Sequence, residues 1–110
     1  MRSLALFMTA SALAFSTPAF AKGNPESGKA RAAQVCAACH GPDGAKPSAP
    51  DQPLLAGQYY DYLVKALTDY KSGKRNDAIM KGFAAGLTKQ DIEDLAAWFS
   101  MQKSALHFQR

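Results

Sequence analysis

The chain has 110 residues, 47% of them hydrophobic and 20% charged, with a formal net charge of +4. That length holds one small domain and excludes a multidomain enzyme. The ordinary composition excludes wholesale disorder, the charge lacks the dense Lys/Arg clustering of a nucleic-acid binder, and two cysteines are too few for a multiply stapled mini-protein.

In chain order, residues 1–21 read as a secretory leader. Arg2 gives a positive start, residues 4–15 are mostly apolar and uncharged, and Pro18 breaks the run. Ala19-Phe20-Ala21 has the small-x-small form of a cleavage site. The apolar run is about half of the ~20 residues that span a bilayer, so a cleaved leader is preferred to a retained anchor. Cleavage after Ala21 leaves residues 22–110 as one exported domain, expected in the periplasm and without stable membrane insertion. That segment has only 21 apolar side chains larger than Ala or Cys. Small domains are marginal for want of buried surface, so the composition asks for an additional apolar body in the core.

Asn24-Pro25-Glu26 reads as a helix start, with Asn at the N-cap, Pro at the first helical position and an acid in the first turn. This helix is predicted over 25–38. Residues 41–57 contain Pro42, Pro47, Pro50 and Pro53. Each lacks an N–H and fixes φ, so an irregular loop is expected. A second helix is predicted over 58–72, with Tyr59, Leu63, Leu67 and Tyr70 along one face and Gly73 beyond its end. A short helical turn follows over 77–84. Thr88 and Asp91 have capping-box spacing for the last helix, whose inward stripe is Ile92, Leu95, Ala96 and Phe99, with Trp98 beside it. No stretch alternates like a strand. The fold class is all-α, with three main helices and a long Pro-rich loop.

Cys36-Ala37-Ala38-Cys39-His40 is a C-x-x-C-H motif. Two thiols three residues apart at a helix end can add to the two vinyl groups of one haem, with the adjacent His40 placed to ligate iron. A covalent haem c would also supply the missing apolar body. Three other readings stand beside it. A thioredoxin-like pair needs a βαβ context, which is not visible. A zinc site from Cys36, Cys39, His40 and His107 has ligands at adjacent positions, unlike the usual spacing. A plain disulfide is the third. For the second axial position the domain offers Met80, Met101 and His107, or an open site. Met80 is preferred because its connecting segment can fold over the haem. Met101 lies near the end of the last helix, where packing is the commoner role. His107 lies close to the chain end at Arg110, where fraying makes a poor fixed ligand.

The sequence resembles the class I c-type cytochromes, in particular the small bacterial c-553 type and single halves of the dihaem c4 type. The resemblance covers nearly all of 22–110. It rests on Gly28-Lys29-Ala30, then Cys36-Ala-Ala-Cys-His40-Gly41, Pro53-Leu-Leu-Ala-Gly57-Gln58 and Arg75-Asn-Asp-Ala-Ile-Met80. The last segment runs from Leu87-Thr-Lys-Gln-Asp-Ile-Glu-Asp to Leu-Ala-Ala-Trp-Phe99. It implies the class I cytochrome c fold wrapped around one covalent haem. Cys36 and Cys39 would form the thioethers, and His40 and Met80 would be the axial ligands. The Pro53 carbonyl would accept the His40 Nδ1 proton, and Arg75 would contact a propionate. Gly28 and Trp98 match the close crossing of the first and last helices. Trp98 departs from the Tyr or Phe usual there, a difference of packing only. One C-x-x-C-H motif implies one haem.

The function implied is a periplasmic monohaem carrier that moves single electrons between protein redox partners, as a monomer or as an electron-transfer subunit. It would not be an enzyme, since two protein ligands leave the iron no position for substrate. Lys46, Lys74, Arg75 and Lys81 would steer an acidic partner. Two other readings are the cytochrome subunit of a larger redox enzyme and a small-ligand-binding haem protein with weak peroxidase activity. The latter needs an acid–base residue near an open distal site, and no His or Glu stands beside Met80.

Overall fold

The structure, a computed structural model, describes residues 23–105; the leader reading on 1–21 and His107 lie outside these residues. They form five helices in chain order: α1 (Pro25–Val35), α2 (Ala37–His40), α3 (Tyr60–Ser72), α4 (Ala78–Ala85) and α5 (Lys89–Ser100). The described residues contain no strand. None of the helices is long and apolar enough to cross a membrane.

The helix starts are built by local capping. The Asn24 side chain accepts from the backbone N–H groups of Glu26 at 2.9 Å and Ser27 at 3.2 Å, with Pro25 at the first helical position. Thr88 and Asp91 form the reciprocal box: Asp91 N donates to Thr88 Oγ1 at 3.0 Å and Thr88 N to Asp91 Oδ2 at 2.9 Å. Gly73 closes α3 in the left-handed region at φ +80°.

The α1–α5 crossing is very close. A Cβ on Gly28 would lie 2.0 Å from the Asp94 carbonyl oxygen and 2.9 Å from Trp98 Cβ, so only glycine admits this approach. Asp94 is buried beside it and accepts from Asn24 N at 2.6 Å and Gln90 Nε2 at 2.8 Å. The buried core gathers Ala32, Leu63, Ala84, Leu87, Ile92, Leu95, Ala96 and Phe99. The predicted stripe of α5 is buried throughout. Three of the eight core residues are alanines, so the helices meet closely in places but fill little volume.

Three details differ from the sequence reading. The first helix stops at Val35 instead of residue 38, and the chain re-enters helix as α2 after Cys36. The predicted short turn is a full helix, α4. Tyr59 stands at the N-cap of α3 and is 58% exposed, outside the apolar face that Leu63 anchors.

Residues 41–59 contain no helix, as the four prolines lead one to expect. Gly44 organises this segment. Its carbonyl accepts from Leu55 N at 2.9 Å and Ala56 N at 3.2 Å. Its φ is +76°, and a Cβ there would lie 2.8 Å from both Leu55 Cβ and Phe99 Cδ1. Gly57 N donates to Phe99 O at 2.9 Å, tying the loop to the end of α5. These bonds hold the Pro53 stretch against the helices.

Candidate haem-binding site

The interruption at Cys36 shapes the site. Cys36 N still donates to Ala32 O at 2.9 Å, while its carbonyl accepts from His40 N at 3.0 Å and Cys39 N at 3.3 Å. At Cys36, with φ −114° and ψ −33°, the residue keeps both its own backbone groups bonded while the helical ladder breaks between α1 and α2. The turn brings Cys36, Cys39 and His40 onto one cavity of about 480 Å³. That volume lies within the range of small-molecule and cofactor sites, roughly 300–1,000 Å³. Much of its wall is aliphatic and aromatic, including Val35, Leu55, Leu67, Leu95 and Phe99.

All six residues singled out from the sequence line this cavity: Cys36, Cys39, His40, Pro53, Arg75 and Met80. They come from the junction between α1 and α2, from α2 itself, from the Pro-rich loop and from the stretch from Arg75 into α4. Met101 does not line it and is 69% exposed.

His40 is buried, and its Nδ1 donates to the Pro53 carbonyl at 3.0 Å. A carbonyl can only accept, so the bond selects the Nδ1–H tautomer and leaves the Nε2 lone pair for a metal. The thiol of Cys36 is pushed up to about 11, chiefly by burial and only partly offset by the Arg31 charge. Cys36 and Cys39 are not joined in a disulfide. A disulfide oxidoreductase depresses its attacking thiol instead, so the environment of Cys36 argues against the thioredoxin-like reading. No group of three or more His, Cys, Asp and Glu among the described residues is arranged to hold a metal ion.

Met80 is half-buried in the first turn of α4. Asp77 caps that turn, with Oδ1 accepting from Ile79 N at 3.0 Å and Met80 N at 2.9 Å. Ile79 and Phe83 also line the cavity, yet are 69% and 48% exposed. Arg75 is exposed at the cavity rim. Its guanidinium lies 4.7 Å from the Tyr70 ring centroid, and Nη1 donates to Tyr62 Oη at 3.4 Å. The Tyr62 hydrogen bond is the first cause raising its pKa further above the ordinary arginine value.

The residues present fit a haem. The cavity offers two thiols at vinyl spacing, an imidazole with one nitrogen already engaged, a thioether from another element, an apolar lining and a cation at the rim. Sequence reasoning missed the groups that hold these side chains. Asp77 stands three residues before Met80, an N-cap signal that was available. The stacking of Arg75 on Tyr70 had no local signature.

The family profile described as cytochrome c matches residues 25–102. The chain is 48% identical over 88 residues to cytochrome c4 of Pseudomonas aeruginosa, covering 80% of this chain and 43% of that protein. It is 44% identical over 72 residues to cytochrome c-554(548) of Halomonas halodenitrificans, covering 63% of this chain and 86% of that one. The crystal structure of reduced recombinant cytochrome c4 from Pseudomonas stutzeri matches with a TM-score of 0.69 at 42% identity, over 76% of this chain and 48% of that chain. The chain thus spans less than half the length of the cytochromes c4 that it matches.

Proposed function

The chain belongs to the cytochrome c family and carries haem c, and from that premise we propose that it is a periplasmic electron carrier with one His40/Met80-ligated haem. The observation that carries this reading is the His40–Pro53 hydrogen bond inside the cavity that Cys36, Cys39 and Met80 also line. A histidine with Nδ1 fixed and Nε2 free is a prepared ligand, and a thioether is the partner that raises a haem potential.

When bound, the haem supplies a reversible one-electron iron couple. The protein residues do the rest. Cys36 and Cys39 would hold the haem covalently as its two thioethers. Pro53 keeps the His40 ring from rotating. Met80 would hold the iron opposite His40 and leave no position for substrate, which suits a carrier instead of an enzyme. The aliphatic and aromatic lining keeps water from the ligands. Arg75, held by Tyr62 and Tyr70, would have donors left for a propionate.

Export rests on the leader at 1–21, with its small-x-small site at Ala19-Phe20-Ala21. The partners are redox proteins, and an acidic one suits Lys74, Arg75 and Lys81, exposed around the start of α4. A role as the haem subunit of a larger assembly has one observation in its favour: the c4 relatives are about twice as long as the matched region.

Replacing Met80 with Ala tests the ligand assignment. The ferric protein should lose its far-red sulfur-to-iron absorption, its potential should fall, and the ferrous protein should bind CO rapidly. Survival of the far-red band in Met80→Ala would refute the assignment.

A further inference from the structure

Among the helices lining the cavity, α4 is weakly supported. It has eight residues, and only Ala84 is buried. A helix this short does not persist on its own propensity. Gly82 lowers that propensity further, and a Cβ there would meet nothing within 4 Å, so packing does not require the glycine. Asp77 caps the N-terminal end. At the C-terminal end the Leu87 N–H closes on Ala84 O at 3.1 Å, and no side chain of the helix itself caps the remaining carbonyls. Its last turn carries no basic residue, and Gly86 closes it at φ −83°, outside the left-handed cap conformation.

The missing partner comes from α3. Lys71 Nζ donates to the carbonyl of Leu87 and lies 3.5 Å from that of Ala85. It thus places a cation at the negative end of α4 and provides donors for the carbonyl of Ala85, the last helical residue, and for that of Leu87 just beyond the helix.

We propose that Lys71 is a positioning residue for the Met80 ligand: its ammonium clamps the C-terminal end of α4 and so holds the Met80 thioether at the iron. The inference rests on the reading of Met80 given above. Asp77 fixes the start of the helix and Lys71 its end, and Met80 lies between them. Release of Lys71 frays α4 from its glycine-containing end and lets an external ligand compete with the thioether.

The test is imidazole binding to the ferric haem-loaded protein. Lys71→Met keeps most of the aliphatic stem and removes the charge and donors. It should raise the apparent imidazole affinity about five- to tenfold, the scale of a partly exposed charged hydrogen bond. Lys71→Arg keeps charge and donors and should stay near the wild type. Lys65→Met removes the exposed Lys65–Asp69 pair on the same helix and should change nothing. If Lys71→Met does not fold, Lys71→Gln carries the same comparison. A variant that lowers the melting temperature but binds imidazole as the wild type does would overturn the proposal, since its role would then be structural only. The Met80→Ala spectrum separates the two readings. A persistent far-red band there removes the Met80 assignment, whereas its loss together with unchanged imidazole affinity in Lys71→Met removes the Lys71 role alone.

Discussion

At the scale of single residues, the site depends on groups with one permissible geometry. The proposed ligand role of His40 rests on the Pro53 carbonyl, which can only accept, so the imidazole donates from Nδ1 and keeps Nε2 free. Gly28 is equally constrained by packing. A methyl group there would lie 2.0 Å from the Asp94 carbonyl oxygen, so α1 and α5 would have to separate. Gly28→Ala should therefore cost about 1–3 kcal/mol, the usual scale of overpacking, and more if the Asn24–Asp94 bond is lost as well. Thermal unfolding of the haem-loaded protein measures this, and a melting temperature equal to that of the wild type would contradict the close-crossing explanation.

At the scale of elements, capping decides where helices begin, and one cap sets a pH dependence. The Asp91 carboxyl lies below the ordinary aspartate range, first because it accepts the Thr88 backbone N–H. Its pKa is lower folded than unfolded. The stabilisation it gives is therefore complete above the unfolded value of about 3.9, and is lost as pH falls through the lower folded value. Below about pH 4 the start of α5 should loosen, seen as faster amide exchange at residues 89–92. Asp91→Asn should flatten this dependence; an unchanged acid response in that variant would contradict it.

The same scale shows what was legible in the sequence. The caps at Asn24 and at Thr88/Asp91 were readable because donor and acceptor lie within three residues. The irregular loop was readable from its prolines. The break at Cys36 was not, because no residue there disfavours helix; the turn arises from how the chain packs around the cavity. Lys71 was invisible for a related reason, since its partner Leu87 is 16 residues away and offers only a backbone carbonyl. Tyr59 fitted the helical spacing of α3 but falls at its cap, where periodicity no longer dictates burial. In the site, the C-x-x-C-H motif announced its own chemistry. The roles of Pro53 and Arg75 came only from resemblance, since neither a carbonyl nor a surface guanidinium leaves a local pattern.

At the scale of the whole molecule, the thin core and the cavity are one feature. Residues 22–110 have 21 apolar side chains larger than Ala or Cys, and three of the eight buried core residues are alanines. The helices therefore enclose a space of about 480 Å³ instead of closing on one another. Haem c fills the place of missing side chains, so cofactor binding and folding are coupled. In the proposed site three contacts come from sequence neighbours, Cys36, Cys39 and His40, and the fourth, Met80, comes from the first turn of α4. The most direct measurement is an optical redox titration of the matured protein. It should show one covalent haem per chain, a one-electron Nernst curve, low-spin spectra in both states and a far-red sulfur-to-iron band in the ferric state. A high-spin ferric spectrum without that band, or a haem that extracts into acidified organic solvent, would contradict a single covalent His40/Met80-ligated haem.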